Sequence, residues 1–303
     1  MKTQNKNLIV IVGPTAVGKT ALSTSLAREM DSEIISADSR QIYKELNVGT
    51  AKPSEGEMRR VVHHFVGSHS VQDRFTVYDF TRESHALLAR IYERRNVAFL
   101  VGGSGLFINA VVNGLDEMPD INEDVREELN DRLEREGLEK LFEQLSQLDP
   151  EYAAVVDESN PRRILRALEV CLGTGEPYSS FLGKGSNKPD LKVCKIGLEV
   201  PRDELYNGIN ERVDNMVAAG LVEEARSLSM FYSFPSLRTV GYQELIQYFD
   251  NKISLDEAIE LIKRNTRRYA KRQLTWFKRD AEIKWFNPSD VDLVKKHVEI
   301  SVN

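Results

Sequence analysis

Two cysteines in 303 residues, Cys171 and Cys194, leave nothing from which to build a disulfide framework, and their spacing suits no metal site. Reduced, partly buried thiols in a cytoplasmic protein are what they suggest. No apolar run approaches the length of a membrane span. The start, Met1 to Asn7, is polar and leads straight into a strand pattern, without the apolar core of a signal peptide. Internal repeats and low-complexity tracts are absent too, which excludes solenoid and fibrous architectures. What remains is a chain longer than a single core usually grows, so one large α/β domain with an inserted subdomain is expected.

Positive charge is also in short supply: the formal net charge is −6, which argues at first against a nucleic-acid partner. Its distribution weakens the objection. Between Asp116 and Glu158 stand sixteen acidic residues against four basic ones, a local −12, so the rest of the chain carries +6. Much of that lies in Lys263–Arg279, where eight of seventeen residues are basic and Tyr269, Trp276 and Phe277 are interleaved. The run lacks the acidic partners at helical spacing that a solvated face carries. Uncompensated cations suit a polyphosphate or RNA backbone, and aromatics add stacking surface, although Tyr269, Leu274 and Trp276 also fit a core.

Asn7–Val12 (NLIVIV) is an apolar, β-branched run that ends in GPTAVGKT and then an amphipathic helix, Ala21 to Met30. Glu33–Ala37 and Val97–Val101 read as further buried strands, and Lys192–Glu199 as one that returns later. Alternating strands and helices predict a parallel sheet covered on both faces, with ligands at the carboxyl ends of its strands. From Leu115 to Lys188 the pattern turns helical, through Glu123–Gln147 and Pro161–Leu172 to a turn-rich loop, Thr174–Asp190. The expected organisation is a P-loop core over 1–114 and 189–303 with a helical insertion over 115–188. Helices are expected at Arg202–Ala219, Leu221–Ser229 and Asp256–Lys278.

Gly13-Pro14-Thr15-Ala16-Val17-Gly18-Lys19-Thr20 fits the P-loop pattern in full, between a strand and a helix. Such a loop turns backbone N–H groups inward around phosphate oxygens at a helix N-terminus, adds a lysine charge, and places a hydroxyl to ligate Mg²⁺. It binds a di- or triphosphate without saying which. In NTP-hydrolysing enzymes its usual companion is a strand ending in an acid. Here VAFLV ends in Gly102-Gly103-Ser104-Gly105 instead, and the available acid is Asp38, after EIISA. Asp38 suits three roles: water-mediated metal binding, proton acceptance, or capping of the next helix. Ser104 suits a phosphate, an RNA backbone or a cap.

Together these segments resemble the tRNA dimethylallyltransferase (tRNA isopentenyltransferase) family. The resemblance runs in order through GPTAVGKT, ADSRQIY at Ala37–Tyr43, VGTAKP at Val48–Pro53, GGSGLF at Gly102–Phe107 and DPEYAAVVDESNPRRILRALEVCLGTGEPYS at Asp149–Ser179. It continues through GLEVPRDELYNGINERVDNMVAAGLVEEA at Gly197–Ala225 and VGYQEL at Val240–Leu245 to TRRYAKRQLTWF at Thr266–Phe277. Ser104 stands where the family usually has Thr, and Arg40 where it has Met or a similar residue. The resemblance implies that the P-loop, Gly13 to Thr20, holds the pyrophosphate of dimethylallyl diphosphate rather than ATP. It implies Mg²⁺ on Thr20, and Asp38, Lys19 and Thr20 as the catalytic set. The implied acceptor is the adenosine 3′ of the anticodon, position 37, in tRNAs reading codons that begin with U. It assigns RNA contacts in the anticodon stem-loop to Asp38, Ser39, Arg40, Gln41, Ser104, Arg126, Arg162, Arg163, Arg166, Arg267, Arg268 and Lys271. Arg163 and Arg166 compete as ion-pair partners within the acidic insertion. A monomer without membrane contact is expected. The alternatives are an adenylate isopentenyltransferase and a P-loop small-molecule kinase.

Overall fold

The computed structural model describes residues 6–183 and 189–302. The polar start at residues 1–5 and the part of the Thr174–Asp190 loop at 184–188 lie outside the described residues. The chain forms two compact units: one runs to Val112 and resumes at Pro189, and the other begins at Asn113.

The first unit opens with β1 (Asn7–Val12), α1 (Lys19–Glu29), β2 (Ile34–Ala37), α2 (Glu55–Arg60), β3 (His63–His64), α3 (Val77–Tyr92), β4 (Val97–Gly102) and α4 (Gly105–Asn113). The second unit holds α5 (Glu123–Glu136), α6 (Leu138–Leu148), α7 (Pro150–Ala153) and α8 (Pro161–Thr174). The first then resumes with β5 (Lys192–Leu198), α9 (Arg202–Ala218), α10 (Leu221–Ser227), α11 (Tyr242–Phe249), α12 (Leu255–Phe277), β6 (Lys284–Phe286) and α13 (Val291–Val302). The strands make a single six-stranded sheet in the order β3-β2-β4-β1-β5-β6, every pairing parallel. This is the helix-flanked parallel sheet that the strand–helix alternation predicts.

β1 explains why both faces are covered. All six of its residues are buried, with Leu8, Val10 and Val12 in one apolar cluster and Ile9 and Ile11 in another. Side chains of a strand alternate between faces, so a continuous apolar run serves two cores at once. Helix starts are set locally: Ser54 with Glu57 and Thr76 with Asp79 form capping boxes at α2 and α3, and Ser254 caps α12.

The second unit has its own core, with Leu129, Leu141, Leu145, Ile164 and Leu168 fully or almost fully buried. The charged stretch expected over Glu123–Gln147 is two helices rather than one, because Gly137 adopts a φ of +83° and breaks the ladder between α5 and α6. α8 begins at a proline and is capped by Asn160. β3 and β6 span two and three residues, too few for alternation to mark them in the sequence.

Candidate active site

Strand register assembles the site. Val12 aligns with Gly102 across β1–β4, and Ala37 aligns with the same Gly102 across β2–β4. The P-loop, Asp38 and the Gly103–Ser104 turn therefore leave the sheet at neighbouring points of one edge, where parallel α/β sheets bind ligands. A cavity of about 360 Å³ opens there, lined by Thr15 to Thr20, Asp38, Gln41 and Gly103, and by three residues from later helices: Arg212, Tyr269 and Gln273.

Two cations face this cavity without a carboxylate ion-pair partner among the described residues. Lys19 Nζ donates to the carbonyls of Gly13 at 3.0 Å and Pro14 at 2.7 Å. Burial pulls its pKa down to about 7, with the Asp38 charge opposing the shift and Arg212 reinforcing it. Burial likewise lowers Arg212, again against the pull of Asp38, and its Nη2 donates to the Thr50 carbonyl at 3.4 Å.

Gln273 ties the two glycine-rich loops together. Its Oε1 accepts from Thr15 N–H at 2.9 Å and its Nε2 donates to the Gly103 carbonyl at 3.0 Å. A Cβ at Gly103 would overlap that amide nitrogen, so only glycine admits the crosslink.

Asp38 Oδ1 accepts from the backbone N–H groups of Arg40 at 2.9 Å and Gln41 at 3.3 Å, which closes a turn and does not cap a helix as expected: the next helix, α2, starts at Glu55 and is capped by Ser54. The carboxylate also lines the cavity. Ser104 Oγ accepts from Ser39 N–H at 3.0 Å, which joins the Asp38 turn to the second glycine loop. Burial pushes the Tyr269 phenol up to about 12, with the Asp38 charge adding to the shift. Gln41 Nε2 donates to the carbonyls of Thr50 and Ala51, each at 3.2 Å. Arg40 leaves the group: its Nη1 donates to the Ser236 carbonyl at 3.3 Å.

The other sequence candidates are dispersed. On α12, Arg268 and Lys271 are exposed, whereas Arg267 turns to Asn210 Oδ1 at 2.6 Å. The basic run is not wholly uncompensated as expected. Lys263 pairs with Asp214 at 2.8 Å and Glu260 at 3.2 Å, and Lys278 with Glu199 at 2.6 Å, because α9 and the end of β5 bring acids to both ends of α12. Among the described residues Arg264, Arg268, Lys271 and Arg272 form no ion pair. In the second unit Arg126 and Arg166 share the buried Glu169, at 2.8 and 3.1 Å. Arg162 and Arg163 are exposed, and the competing ion-pair role is filled by Arg166 and not by Arg163.

Sequence reasoning passed over Arg212 and Gln273. Each carries a faint signal. Gln273 interrupts the buried stripe Ile262, Ala270, Phe277 of α12, and Arg212 adjoins the buried stripe Leu205, Ile209, Val213 of α9. A lone polar residue at a core position is the pattern that would have found them.

Among the described residues no group of three or more His, Cys, Asp or Glu is placed to hold a metal, and no helix is long and apolar enough to cross a membrane. Cys171 and Cys194 are buried and free.

A family model described as IPP transferase matches residues 41–280. A tRNA dimethylallyltransferase of Christiangramia forsetii is 48% identical over 279 residues, covering 92% of each chain. A solved structure, the full-length tRNA isopentenylpyrophosphate transferase of Bacillus halodurans, superposes with a TM-score of 0.74 at 38% identity, over 98% of this chain and 97% of that one. A eukaryotic dimethylallyltransferase acting on tRNA shares the fold, with a TM-score of 0.81 at 24% identity over 98% of this chain and 77% of the other.

Proposed function

The chain belongs to the IPP transferase family and is a tRNA dimethylallyltransferase, and on that premise we propose that its cavity joins dimethylallyl diphosphate to N6 of adenosine 37 in tRNAs reading codons that begin with U. The observation that carries the reading is the meeting, in one cavity, of two cations held by carbonyls, Lys19 and Arg212, with the Asp38 carboxylate.

The chemistry poses two problems. Pyrophosphate leaves with dense negative charge, which Lys19, Arg212 and the loop N–H groups stabilise as the C1–O bond breaks. The adenine amine is a poor nucleophile because its lone pair is delocalised into the ring. As N6 bonds to C1 it becomes cationic and its proton acidic. Asp38 takes that proton late in the step, when the transfer is downhill. With Oδ1 already bonded to the Arg40 and Gln41 amides, Oδ2 is the atom that receives it. The products are N6-isopentenyladenosine and pyrophosphate. The base leaves the anticodon stack to reach the cavity.

Mg²⁺ fits the site. Thr20 and Asp38 offer hard oxygens to one cavity, and Mg²⁺ takes few protein ligands when a polyphosphate supplies the rest, so the lack of a wider acidic cluster is no obstacle. Bound to Thr20 and the diphosphate, it would supply further charge neutralisation on the leaving group. A single chain contains every residue assigned, which supports action as a monomer. Arg268 and Lys271 supply exposed, unpaired charge for the anticodon stem-loop.

The test is label transfer from dimethylallyl diphosphate, with Mg²⁺, to tRNA carrying A37, to its A37→G variant and to AMP. Label entering the A37 tRNA alone is expected. Label entering AMP would make the acceptor a free nucleotide, and no transfer to any acceptor would return the P-loop to ATP and a kinase. Asp38→Asn is expected to lower turnover by about two to four orders of magnitude while donor binding changes little.

A further inference from the structure

Gln41 and Arg212 both line the cavity, and they meet at one backbone atom. The Thr50 carbonyl accepts from Gln41 Nε2 at 3.2 Å and from Arg212 Nη2 at 3.4 Å. Where that carbonyl stands sets the aim of Arg212 and, together with the Ala51 carbonyl and the Ser36 hydroxyl, that of Gln41. Thr50 lies in a turn outside any regular helix or strand, braced locally by its own hydroxyl on the Leu46 carbonyl at 2.7 Å, and tertiary contacts hold that turn against the rest of the fold.

Those contacts converge on Glu224 of α10. Its Oε2 accepts from the N–H groups of Asn47 at 3.0 Å and Val48 at 2.8 Å, and its Oε1 from Gly49 N–H at 2.9 Å and the Tyr242 hydroxyl at 2.6 Å. Three consecutive amides pointing at one anion form a nest, a backbone shape that a negative charge holds in place. Tyr242, fully buried at the start of α11, seals it from the other side. A Cβ at Gly49 would lie 2.5 Å from the Tyr242 ring, so the ring occupies the space a side chain would need. The neighbouring Glu223 is exposed. Two adjacent glutamates of identical chemistry thus have unlike surroundings, and only one of them grips the loop.

We propose that Glu224 is a positioning residue for the diphosphate donor: by gripping the 47–49 turn it fixes the Thr50 carbonyl, and through that atom the aim of Arg212 and Gln41. The proposal rests on reading the cavity as the donor site. A carboxylate is required because all four of its partners are donors. Asn47 and Val48 N–H face one oxygen and Gly49 N–H the other, so the amide of a glutamine in either orientation would set its own N–H against a backbone N–H.

Steady-state kinetics of Glu224→Gln, Tyr242→Phe, Arg212→Met and the Glu224→Gln/Arg212→Met pair, each substrate varied in turn, test it. Glu224→Gln is expected to raise KM for dimethylallyl diphosphate about tenfold and KM for tRNA far less, the latter through Gln41 alone. Tyr242→Phe, which removes one of the four bonds, is expected to move the same parameter about threefold. In the Arg212→Met background the effect of Glu224→Gln should shrink well below tenfold, because one of the groups it aims is gone. Independent, multiplying effects, or parallel rises in both KM values, would reduce Glu224 to a structural residue and overturn the proposal. Should Glu224→Gln fail to fold, Tyr242→Phe decides, and an unchanged donor KM there overturns it. An unchanged donor KM in Arg212→Met alone would instead sink the donor-site reading.

Discussion

Lys19 and Arg212 in the first unit are held by the carbonyls of Gly13, Pro14 and Thr50, whereas Arg126 and Arg166 in the second unit are held by the Glu169 carboxylate. The two arrangements have opposite consequences. A carbonyl offers a dipole but no charge, so Lys19 keeps its burial cost and its pKa falls to about 7. On the proposed reading, an arriving diphosphate would supply the missing charge. Glu169 already neutralises part of the charge on its arginines, and an incoming anion there would have to compete with a partner buried between α5 and α8. Cation content alone would rank the two places alike, and the partner of each cation separates them.

The largest expected effect comes from removing the unpaired charge. Lys19→Met should lower kcat/KM for the donor by about a thousandfold, since on the proposed reading the lost group faces the leaving pyrophosphate. A loss no larger than that of a surface lysine would erase the contrast between the two regions.

A smaller and more specific effect is a pH dependence. On the proposed reading Lys19 is charged when it holds the donor, and in the free protein burial pulls its pKa from the ordinary 10.5 down to about 7. Donor affinity is therefore expected to fall as pH rises above about 7, by up to about tenfold per unit, until the raised pKa of the complex is reached. Titration from pH 6 to 9 checks this, and Lys19→Arg, charged throughout, should flatten the curve.

The smallest effect belongs to the paired region. Glu169→Gln leaves two arginines without their counter-ion. Both are partly exposed, so the expected loss is about 1–3 kcal/mol in thermal unfolding, with donor affinity unchanged. A change in donor affinity in this variant would break the assignment of Glu169 to structure.

The legible part of the site was the part that is contiguous in sequence. The P-loop is eight consecutive residues whose spacing is itself the chemistry, and Asp38 follows a strand whose partner β4 ends in glycines. What the sequence hid depends on helices that return from far along the chain. Thr15 and Gln273 are 258 residues apart, and no local pattern links them. In α12 the arginines drew attention, yet Gln273 and Tyr269 are what line the cavity, while Arg267 is spent on Asn210. Glu224 and Glu223 are indistinguishable until α11 places Tyr242 beside one of them. The fold was easier to read because β1, β2 and β4 are short, fully buried runs bounded by turn residues. The two-residue β3 and three-residue β6 pair only because the sheet already exists beside them.

Isothermal titration of inorganic pyrophosphate, at constant Mg²⁺ and in buffers of different ionisation enthalpy, tests most directly whether the carbonyl-held cations await a diphosphate. At pH 8 the wild type should take up close to one more proton on binding than Lys19→Arg does, with the difference vanishing near pH 6. Equal proton uptake by the two proteins at pH 8 would contradict the account, because Lys19 would then already be charged before the anion arrives.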